Sequence, residues 1–312
     1  MIQTTGLSRV IGKLILLSTV ALLTACATAP EFEHVSNPPH AIPIQVIGHR
    51  DRPLIAFVLG SGAARGFAHV GVLDVLDRNG IKANIIVGSS AGSVVAALYA
   101  AGIRNDKLLE AAQKLDMEQL TDWTFPNRGI VRGELLQEYI NKLLDNRPIE
   151  SLPVKFVAIA TDLANGNLIA FNTGNTGMAV RASSSVPGIV QPTTIDGRDY
   201  VDGGLVSQVP VRIARQMGAD IVIAVDVSRT LMPPEQLTST AAVMRQAMLI
   251  AIQRITEEEI GEADIIIRPE VGNIAADQFE LRDQAVAAGK TAALARISDI
   301  RQIISDWYRK TR

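Results

Sequence analysis

The regular alternation of strand-like runs with helix-period segments, which begins at Leu54, is the feature that most constrains the fold of this chain. Residues 54–59 are apolar throughout, residues 70–76 repeat apolar positions at helical spacing, and residues 81–87 form a second strand-like run. A run with no polar face is typical of a strand that is covered on both sides. Strands and helices that alternate in chain order predict an α/β fold with a largely parallel central sheet flanked by helices.

The same pattern continues to the end of the chain without an internal repeat. We predict further strands at 155–159, 168–171, 221–227 and 265–267, and helices at 90–101, 107–115, 133–144, 209–217, 238–260 and 280–308. Residues 51–312 are therefore predicted to form a single domain, a size that one α/β core can support.

Composition excludes several classes of function. The chain has 312 residues with a net charge of -2 and carries no basic stripe, so nucleic-acid binding has no electrostatic support. Its single cysteine excludes a disulfide framework or a cysteine-based zinc site. The four histidines include no HExxH pair, so no metal site is predicted.

The first 25 residues have the organisation of an export signal. Arg9 and Lys13 precede a short apolar run at 14–23, and the small residues Thr24 and Ala25 lead directly to Cys26. This arrangement resembles a bacterial lipoprotein signal, which implies cleavage before Cys26 and acylation of that residue. An ordinary signal peptide is the alternative, whereas an uncleaved membrane helix fits poorly because the apolar run is short.

Residues 26–50 are predicted to be the acylated cysteine and a flexible tether, since prolines interrupt them and no helical or strand period runs through. By the lipoprotein resemblance, the protein is anchored through acylated Cys26 in the cell envelope of a bacterium. Position 27 lacks the aspartate associated with retention at the inner membrane, which favours the outer membrane, facing the periplasm.

A candidate nucleophile stands between the second strand and the following helix. Gly88, Ser90 and Gly92 match the pattern G-x-S-x-G at a strand-to-helix turn, the position in which that pattern exposes a serine hydroxyl. The helix start beneath the turn favours developing negative charge. The alternative interpretation is a structural turn in which Ser90 caps the helix.

The partner of such a serine is not obvious, because all four histidines precede Ser90 and the usual order of serine, acid and histidine is impossible. Either His69 is the base in an unusual arrangement, or the base is a carboxylate. Asp202, followed by Gly203 and Gly204, is the better candidate, since a buried aspartate can accept a hydroxyl proton. Four other acids compete with it, namely Asp162, Asp196, Asp199 and Asp226.

Residues 60–66 (GSGAARG) form a small-residue loop between the first strand and the first helix. Such a loop lets backbone N–H groups converge on an anion, which in acyl transfer is the tetrahedral oxygen. A nucleotide phosphate loop is the rival, but the required Gly-Lys-Ser/Thr is absent and Arg65 stands at the third glycine of a dinucleotide fingerprint. We therefore expect no bound nucleotide.

Together, the loop with its following helix (58–73), the turn at 87–93 and the acid segment at 200–205 resemble the patatin-like phospholipase family. The resemblance implies a three-layer α/β/α sandwich with a mainly parallel central sheet and a Ser–Asp dyad formed by Ser90 and Asp202. Gly62, Ala63, Ala64 and Arg65 correspond to the oxyanion segment. The family's chemistry implies no metal and no cofactor.

Two departures from the family pattern concern positioning. Ser61 and Ala63 replace glycines, which leaves the oxyanion hole intact if neither needs a positive φ. Ser207 stands where asparagine is common, so the positioning of Asp202 must rely on a shorter arm. His69 matches the family without a catalytic role, and we expect it on the helix surface or in packing.

The resemblance implies hydrolysis of fatty-acyl esters of phospholipids, lysophospholipids or related lipids. A Met-rich apolar stripe on the predicted helix 238–260 could mould to acyl chains, although such a stripe more commonly packs into a core. The alternative hypothesis is an envelope scaffold or regulator that has the same fold and binds lipid without turning it over.

Overall fold

The computed structural model describes residues 37–44, 46, 51–115, 121–125 and 127–311. The signal segment at 1–25 and Cys26 lie outside these residues, as does most of the predicted tether. Within the tether, the His40 N–H donates to the Thr173 carbonyl at 3.1 Å and the Ile42 N–H donates to Asn172 Oδ1 at 2.9 Å. Residues 37–42 therefore run alongside residues 172–175.

An eight-stranded mixed sheet forms the centre of the domain. Its strands are β1 (Ile55–Leu59), β2 (Ile85–Ser89), β3 (Lys155–Asp162), β4 (Leu168–Phe171), β5 (Thr193–Ile195), β6 (Arg198–Asp202), β7 (Ile221–Val225) and β8 (Ile265–Ile267). The order is β5-β6-β3-β2-β1-β7-β8, with β4 paired to β3. The five neighbouring strands β3-β2-β1-β7-β8 are parallel. Strands β4, β5 and β6 pair in the antiparallel sense.

Strands β2 and β6 meet end to end along one edge of β3. Strand β2 pairs with β3 as far as Ser89, which lies opposite Ile159. At the next position of β3, Asp202, the last residue of β6, lies opposite Ala160. Strand β4 pairs with the same part of β3, so it must occupy the other edge. The carboxyl ends of β2 and β6 therefore face each other.

Helices cover both faces of the sheet. They are α1 (Phe67–Arg78), α2 (Ala91–Ala100), α3 (Asp106–Lys114), α4 (Glu134–Leu143), α5 (Thr176–Ser183), α6 (Val211–Gln216), α7 (Thr240–Ile260), α8 (Arg282–Leu294) and α9 (Ile297–Thr311). Alternate residues of β1 enter two separate cores: Phe57 packs with the helices of the larger layer, and Val58 packs on the side of α6. The predicted α/β fold with a mainly parallel sheet is confirmed.

Strands β5 and β6 were not among the predicted strands, and two helical features also differ from the sequence prediction. The helix expected at 280–308 is divided by a turn at Ala295 and Arg296, which redirects the chain so that Ile297 and Ile300 are also buried. The second difference is helix α5, which was not predicted and which Asn175 caps by accepting a hydrogen bond from the Met178 N–H at 2.8 Å. Among the described helices, none has both the length and the apolar character needed to cross a membrane.

Candidate active site

Ser90 occupies the sharp turn between β2 and α2 with φ 53° and ψ -125°. The crossing is so tight that a Cβ at Gly92 would lie 2.1 Å from the Leu59 carbonyl oxygen, and one at Gly88 would lie 2.5 Å from the Gly92 carbonyl oxygen. Only glycine fits at these two positions. The Ser90 side chain makes no capping hydrogen bond to α2, so the interpretation of this serine as a helix cap is wrong.

Neighbouring serines hold the Ser90 backbone in its strained conformation. The Ser90 N–H donates to Ser183 Oγ at 2.9 Å, and Ser93 Oγ donates to the Ser90 carbonyl at 2.7 Å. Sequence reasoning did not identify Ser183, because it lies on α5, a helix that was not predicted. The hydroxyl of Ser90 faces a cavity while the residue as a whole is only 6% exposed.

Asp202 ends β6 and meets Ser90 across the junction of β2 and β6. It is 7% exposed, accepts a hydrogen bond from the Gly204 N–H at 2.7 Å and lies close enough to the Ser90 side chain for the two groups to interact. Burial raises the pKa of Asp202 to about 6, while the interaction with Ser90 and the hydrogen bond from Gly204 act in the opposite direction. Strand register therefore brings together the two residues of the predicted dyad.

The competing acids are engaged elsewhere. Asp162 accepts from the Ala164 N–H at 2.9 Å, Asp196 is exposed at the surface, Asp199 pairs with Arg128, and Asp226 pairs with Arg268. None of these four acids lines the cavity that contains Ser90. In the part of the chain that the structure describes, no cluster of His, Cys, Asp and Glu is suited to hold a metal ion.

His69 is fully buried in α1, so its expected place on the helix surface is wrong and packing is its environment. Its Nε2 lies 2.8 Å from the Gly60 carbonyl, and its Nδ1 has no hydrogen-bond partner. Burial lowers the pKa of His69 to about 4, so the ring is neutral and its Nε2–H donates to Gly60. The histidine braces the start of the small-residue loop and does not line the cavity.

The four predicted oxyanion residues divide into two pairs. The Ala64 N–H donates to the Ala276 carbonyl at 3.2 Å and the Arg65 N–H to the Gly62 carbonyl at 3.1 Å. The N–H groups of Gly62 and Ala63 have no acceptor among the described residues. The condition that neither replaced glycine position has a positive φ holds for Ser61 but not for Ala63, whose φ is 48°. This conformation costs an alanine about 1 kcal/mol and leaves the Ala63 N–H without an acceptor among the described residues.

Hydrogen bonds tie the loop, the turn and the acid segment into one unit. Ser61 Oγ donates to Ser89 Oγ at 2.9 Å, the Ser61 N–H donates to the Gln208 carbonyl at 2.9 Å, and Gln208 Nε2 donates to the Ser61 carbonyl at 2.9 Å. Arg65 is buried and donates to the Val227 and Ile274 carbonyls, so its guanidinium group anchors the loop. Sequence reasoning did not identify Gln208.

The Ser207 side chain is hydrogen-bonded to a residue of α7. Ser207 Oγ donates to Glu259 Oε2 at 2.6 Å, and the other carboxylate oxygen of Glu259 accepts the Arg212 N–H at 3.1 Å. The Ser207 N–H also donates to the Gly203 carbonyl at 2.9 Å, within the turn that follows Asp202. The Ser207 hydroxyl is therefore directed to a buried carboxylate on α7, and it is the Ser207 backbone N–H that bonds within the turn after Asp202.

Ser90 and Asp202 open into a cavity of about 490 Å³, within the size range of small-molecule sites. Its walls are mainly aliphatic and come from α2, α3, α4 and α7, among them Val94, Leu98, Leu108, Ala112, Leu136, Met248, Leu249 and Ile252. The Met-rich stripe of α7 is therefore not core: Met248 lines the cavity and is about half exposed.

Comparison with known proteins places this site in a family. A family model described as patatin-like phospholipase matches residues 57–215, a range that contains the loop, the serine turn and the acid segment. The chain is 37% identical over 179 residues to an uncharacterised NTE family protein of Mycobacterium bovis, covering 56% of this chain and 49% of the relative. An NTE family protein of Mycobacterium tuberculosis is 28% identical over 269 residues, covering 78% of this chain and 46% of the relative.

The chain thus spans about half the length of these mycobacterial relatives. Among solved structures, VipD from Legionella pneumophila matches with a TM-score of 0.52 at 12% identity, covering 91% of this chain and 73% of that chain. A likeness at this identity supports the fold alone. Because the family model covers just over half of the 312 residues and includes the loop, the serine turn and the acid segment, this chain belongs to the patatin-like phospholipase family.

Proposed function

We propose that this protein is a serine acyl hydrolase that cleaves fatty-acyl esters of phospholipids, lysophospholipids or related lipids with a dyad of Ser90 and Asp202. The observation that carries the proposal is that Ser90 and Asp202 lie together in a largely apolar cavity of about 490 Å³. Membership of a family whose members are generally esterases supports the same reaction class.

In the proposed reaction, Ser90 Oγ attacks the ester carbonyl carbon and Asp202 accepts the hydroxyl proton. The N–H groups of Gly62 and Ala63 stabilise the tetrahedral oxyanion, each donor contributing about 10²–10³ in rate. The intermediate collapses, and the leaving alcohol takes the proton from Asp202. Water then attacks the acyl-Ser90 ester with Asp202 again accepting a proton. As this second intermediate collapses, the fatty acid is released and the proton passes from Asp202 to Ser90 Oγ, which restores the free enzyme.

Asp202 suits this role without a histidine. With a pKa of about 6 it is mostly ionised at neutral pH, yet it is more basic than an exposed aspartate. A general base works best when its pKa lies near the operating pH. Of the four residues predicted for the oxyanion segment, Gly62 and Ala63 are proposed as donors, while Ala64 and Arg65 fix the loop.

We also propose that acylated Cys26 anchors the enzyme in the bacterial envelope, at the outer membrane facing the periplasm, where membrane lipid is its substrate. The signal-like segment before Cys26 supports this location. Growth with an alkyne-bearing palmitate tests it. The wild-type chain should incorporate the label and Cys26→Ser should not, and an unlabelled wild-type chain would exclude the anchor.

The central test is hydrolysis of a medium-chain p-nitrophenyl ester together with labelling by a fluorophosphonate probe. We expect turnover and labelling in the wild type, neither in Ser90→Ala, and a loss of turnover of at least about 10³ in Asp202→Asn. Ser298→Ala, an exposed serine on α9, is the matched control. A folded wild type that neither turns over ester nor accepts the probe would favour the lipid-binding scaffold.

A further inference from the structure

Four large apolar side chains stand exposed close together, and we refer to Trp123, Phe125, Ile130 and Ile189 as the aromatic rim. Trp123 is 71% exposed, Phe125 88% and Ile189 51%. Scattered exposed apolar residues need no explanation, but a contiguous exposed group marks an interaction surface. The chain has only two tryptophans, and one of them is placed here in water.

Backbone hydrogen bonds join the rim into one unit. The Thr124 N–H donates to the Ile130 carbonyl at 3.0 Å, and the N–H groups of Ile130 and Val131 donate to the Ile189 carbonyl at 2.8 Å and 3.0 Å. Asp122, next to Trp123, accepts the Gly133 and Glu134 N–H groups at 2.6 Å and 2.7 Å, at the start of α4. The backbone that carries the rim is therefore held in place by hydrogen bonds.

The rim is continuous with the mouth of the cavity. Ile189 and its bonded neighbours Val131 and Val190 line the cavity that contains Ser90, and Ile189 is at the same time half exposed. On α7, Met248 also lines the cavity and is half exposed, with the more exposed Met244 one helical turn away. Exposed apolar side chains thus contribute to two walls of the entrance.

The charges around the rim favour a lipid surface. Asp122 is the only acid between residues 121 and 133, and its carboxylate is directed into the backbone at the start of α4. Arg128 pairs with Asp199, and Arg132 lies 3.9 Å from Glu134, so these neighbouring acids are neutralised and do not repel anionic headgroups. Tryptophan is also the residue that prefers the boundary between headgroups and acyl chains.

We infer that the aromatic rim is the surface with which this protein docks on a lipid membrane, so that an ester moves from the bilayer to Ser90 along an apolar wall. The inference rests on the proposed function, since a lipid substrate gives the rim its place beside the cavity. Acylated Cys26 would hold the protein near the membrane, whereas the rim would orient the cavity mouth towards it.

Tryptophan fluorescence in the full chain tests the orientation directly. The protein would carry Trp307→Phe, which leaves Trp123 as the only tryptophan, and Ser90→Ala, which prevents hydrolysis. It is added to vesicles of phosphatidylethanolamine and phosphatidylglycerol with brominated acyl chains. We expect the Trp123 emission to fall at least twofold relative to unbrominated vesicles. The matched control, Trp123→Phe with Trp307 retained, should show little quenching because Trp307 packs against the core.

Vesicle-bound protein whose Trp123 emission is unaffected by bromine would overturn the docking inference, whatever the activity of the enzyme. The double variant Trp123→Ser, Phe125→Ser provides a second measurement. We expect its hydrolysis of vesicle lipid to fall at least tenfold while its rate on monomeric p-nitrophenyl butyrate stays within twofold of wild type.

The two measurements separate the inference from the proposed function. A wild type that cleaves neither substrate contradicts the proposed function, and the quenching result still decides the docking surface. If the double variant retains the wild-type rate on vesicles, the docking surface is wrong while the dyad is unaffected. If it instead converts a dimer into a monomer, the rim is a protein interface and the lipid surface is excluded.

Discussion

Three residues at the site are held in unfavourable conformations or environments. Ser90 keeps a positive φ, Asp202 keeps a carboxyl group away from solvent, and His69 remains neutral with one ring nitrogen unpaired. Positive φ in a residue other than glycine costs on the order of 1–3 kcal/mol, and burying an ionised group costs free energy as well. These costs are typical of catalytic sites, where the surrounding fold supplies the stability that the site lacks.

The pH dependence of the reaction should follow Asp202. Because its carboxylate must accept a proton and its pKa lies at about 6, kcat/KM should be half-maximal near pH 6 and fall about tenfold per unit below that. The measurement is kcat/KM on p-nitrophenyl butyrate from pH 4.5 to 8.5, with far-UV circular dichroism to confirm folding. A profile that stays flat down to pH 4.5 would contradict the assignment of Asp202 as the base.

The same carboxylate should destabilise the folded protein. Its folded pKa of about 6 lies above the ordinary aspartate value of 3.8, so the folded state holds a proton that the unfolded state loses between these values. Stability therefore falls as pH rises from about 4 to about 6, by about 3 kcal/mol at most. Asp202→Asn should raise the free energy of unfolding in urea by about 1–3 kcal/mol at pH 8 and change it little at pH 4. Equal effects at the two pH values would show that burial does not raise this pKa.

At the scale of secondary-structure elements, α7 connects the two halves of the site. Its middle turns line the cavity through Met248 and Ile252, and its last turn places Glu259 on Ser207. Gln246 binds both the N–H and the carbonyl of Met232, at 3.0 Å and 3.2 Å, which fixes the first half of the helix. One wall of the cavity and the hydrogen bond to the acid turn thus belong to one helix.

Removal of the Glu259 carboxylate should disturb the acid turn without disturbing substrate binding. In Glu259→Ala, Ser207 Oγ and the Arg212 N–H lose their acceptor, and we expect kcat to fall about tenfold with KM within twofold and stability to fall by about 1–3 kcal/mol. Glu259→Gln, which keeps an acceptor oxygen, should recover most of kcat. Glu257→Ala on the same helix is the control, since Glu257 is exposed. A larger change in KM than in kcat would place Glu259 in substrate binding instead.

At the scale of the whole molecule, the cavity runs from an exposed mouth at Ile189 to buried walls formed by Leu108 and Ala112. A long acyl chain fills such a space only if it reaches the buried walls, whereas a short chain stays near Ser90. In the proposed reaction, we therefore expect selectivity for chain length to depend on the layer formed by α2, α3 and α4 rather than on the dyad.

A larger side chain at the buried wall should shorten the preferred acyl chain. Ala112→Leu removes space for about two methylene groups, each contributing about 0.8 kcal/mol, so kcat/KM on a palmitoyl ester should fall about tenfold. The rate on a butyryl ester should be unchanged. Ala295→Leu, exposed at the turn between α8 and α9, is the control. An equal loss on both esters would indicate damage to the fold rather than a shorter cavity.

Sequence reasoning succeeded where the determinants are local. The apolar runs of β1 and β2 and the glycines around Ser90 determine their structures over a few residues, so both strands and the turn that carries Ser90 were predictable. Ser183, Gln208 and Glu259 were not, because each is an ordinary polar residue whose partner at the site lies far along the chain. The division of the last helix also depends on burial in the folded domain, which helical periodicity does not encode.

The end-to-end meeting of β2 and β6 along β3 has a consequence for when activity can arise. Ser90 and Asp202 share no local segment, and a one-residue slip of either strand along β3 would separate them by about 3.3 Å. A fragment that lacks one of these strands, or a sheet in which either strand is not yet paired, therefore cannot bring Ser90 and Asp202 together. Until the sheet is complete, the chain should lack the proposed activity, and recovery of esterase activity during refolding would report completion of the central sheet.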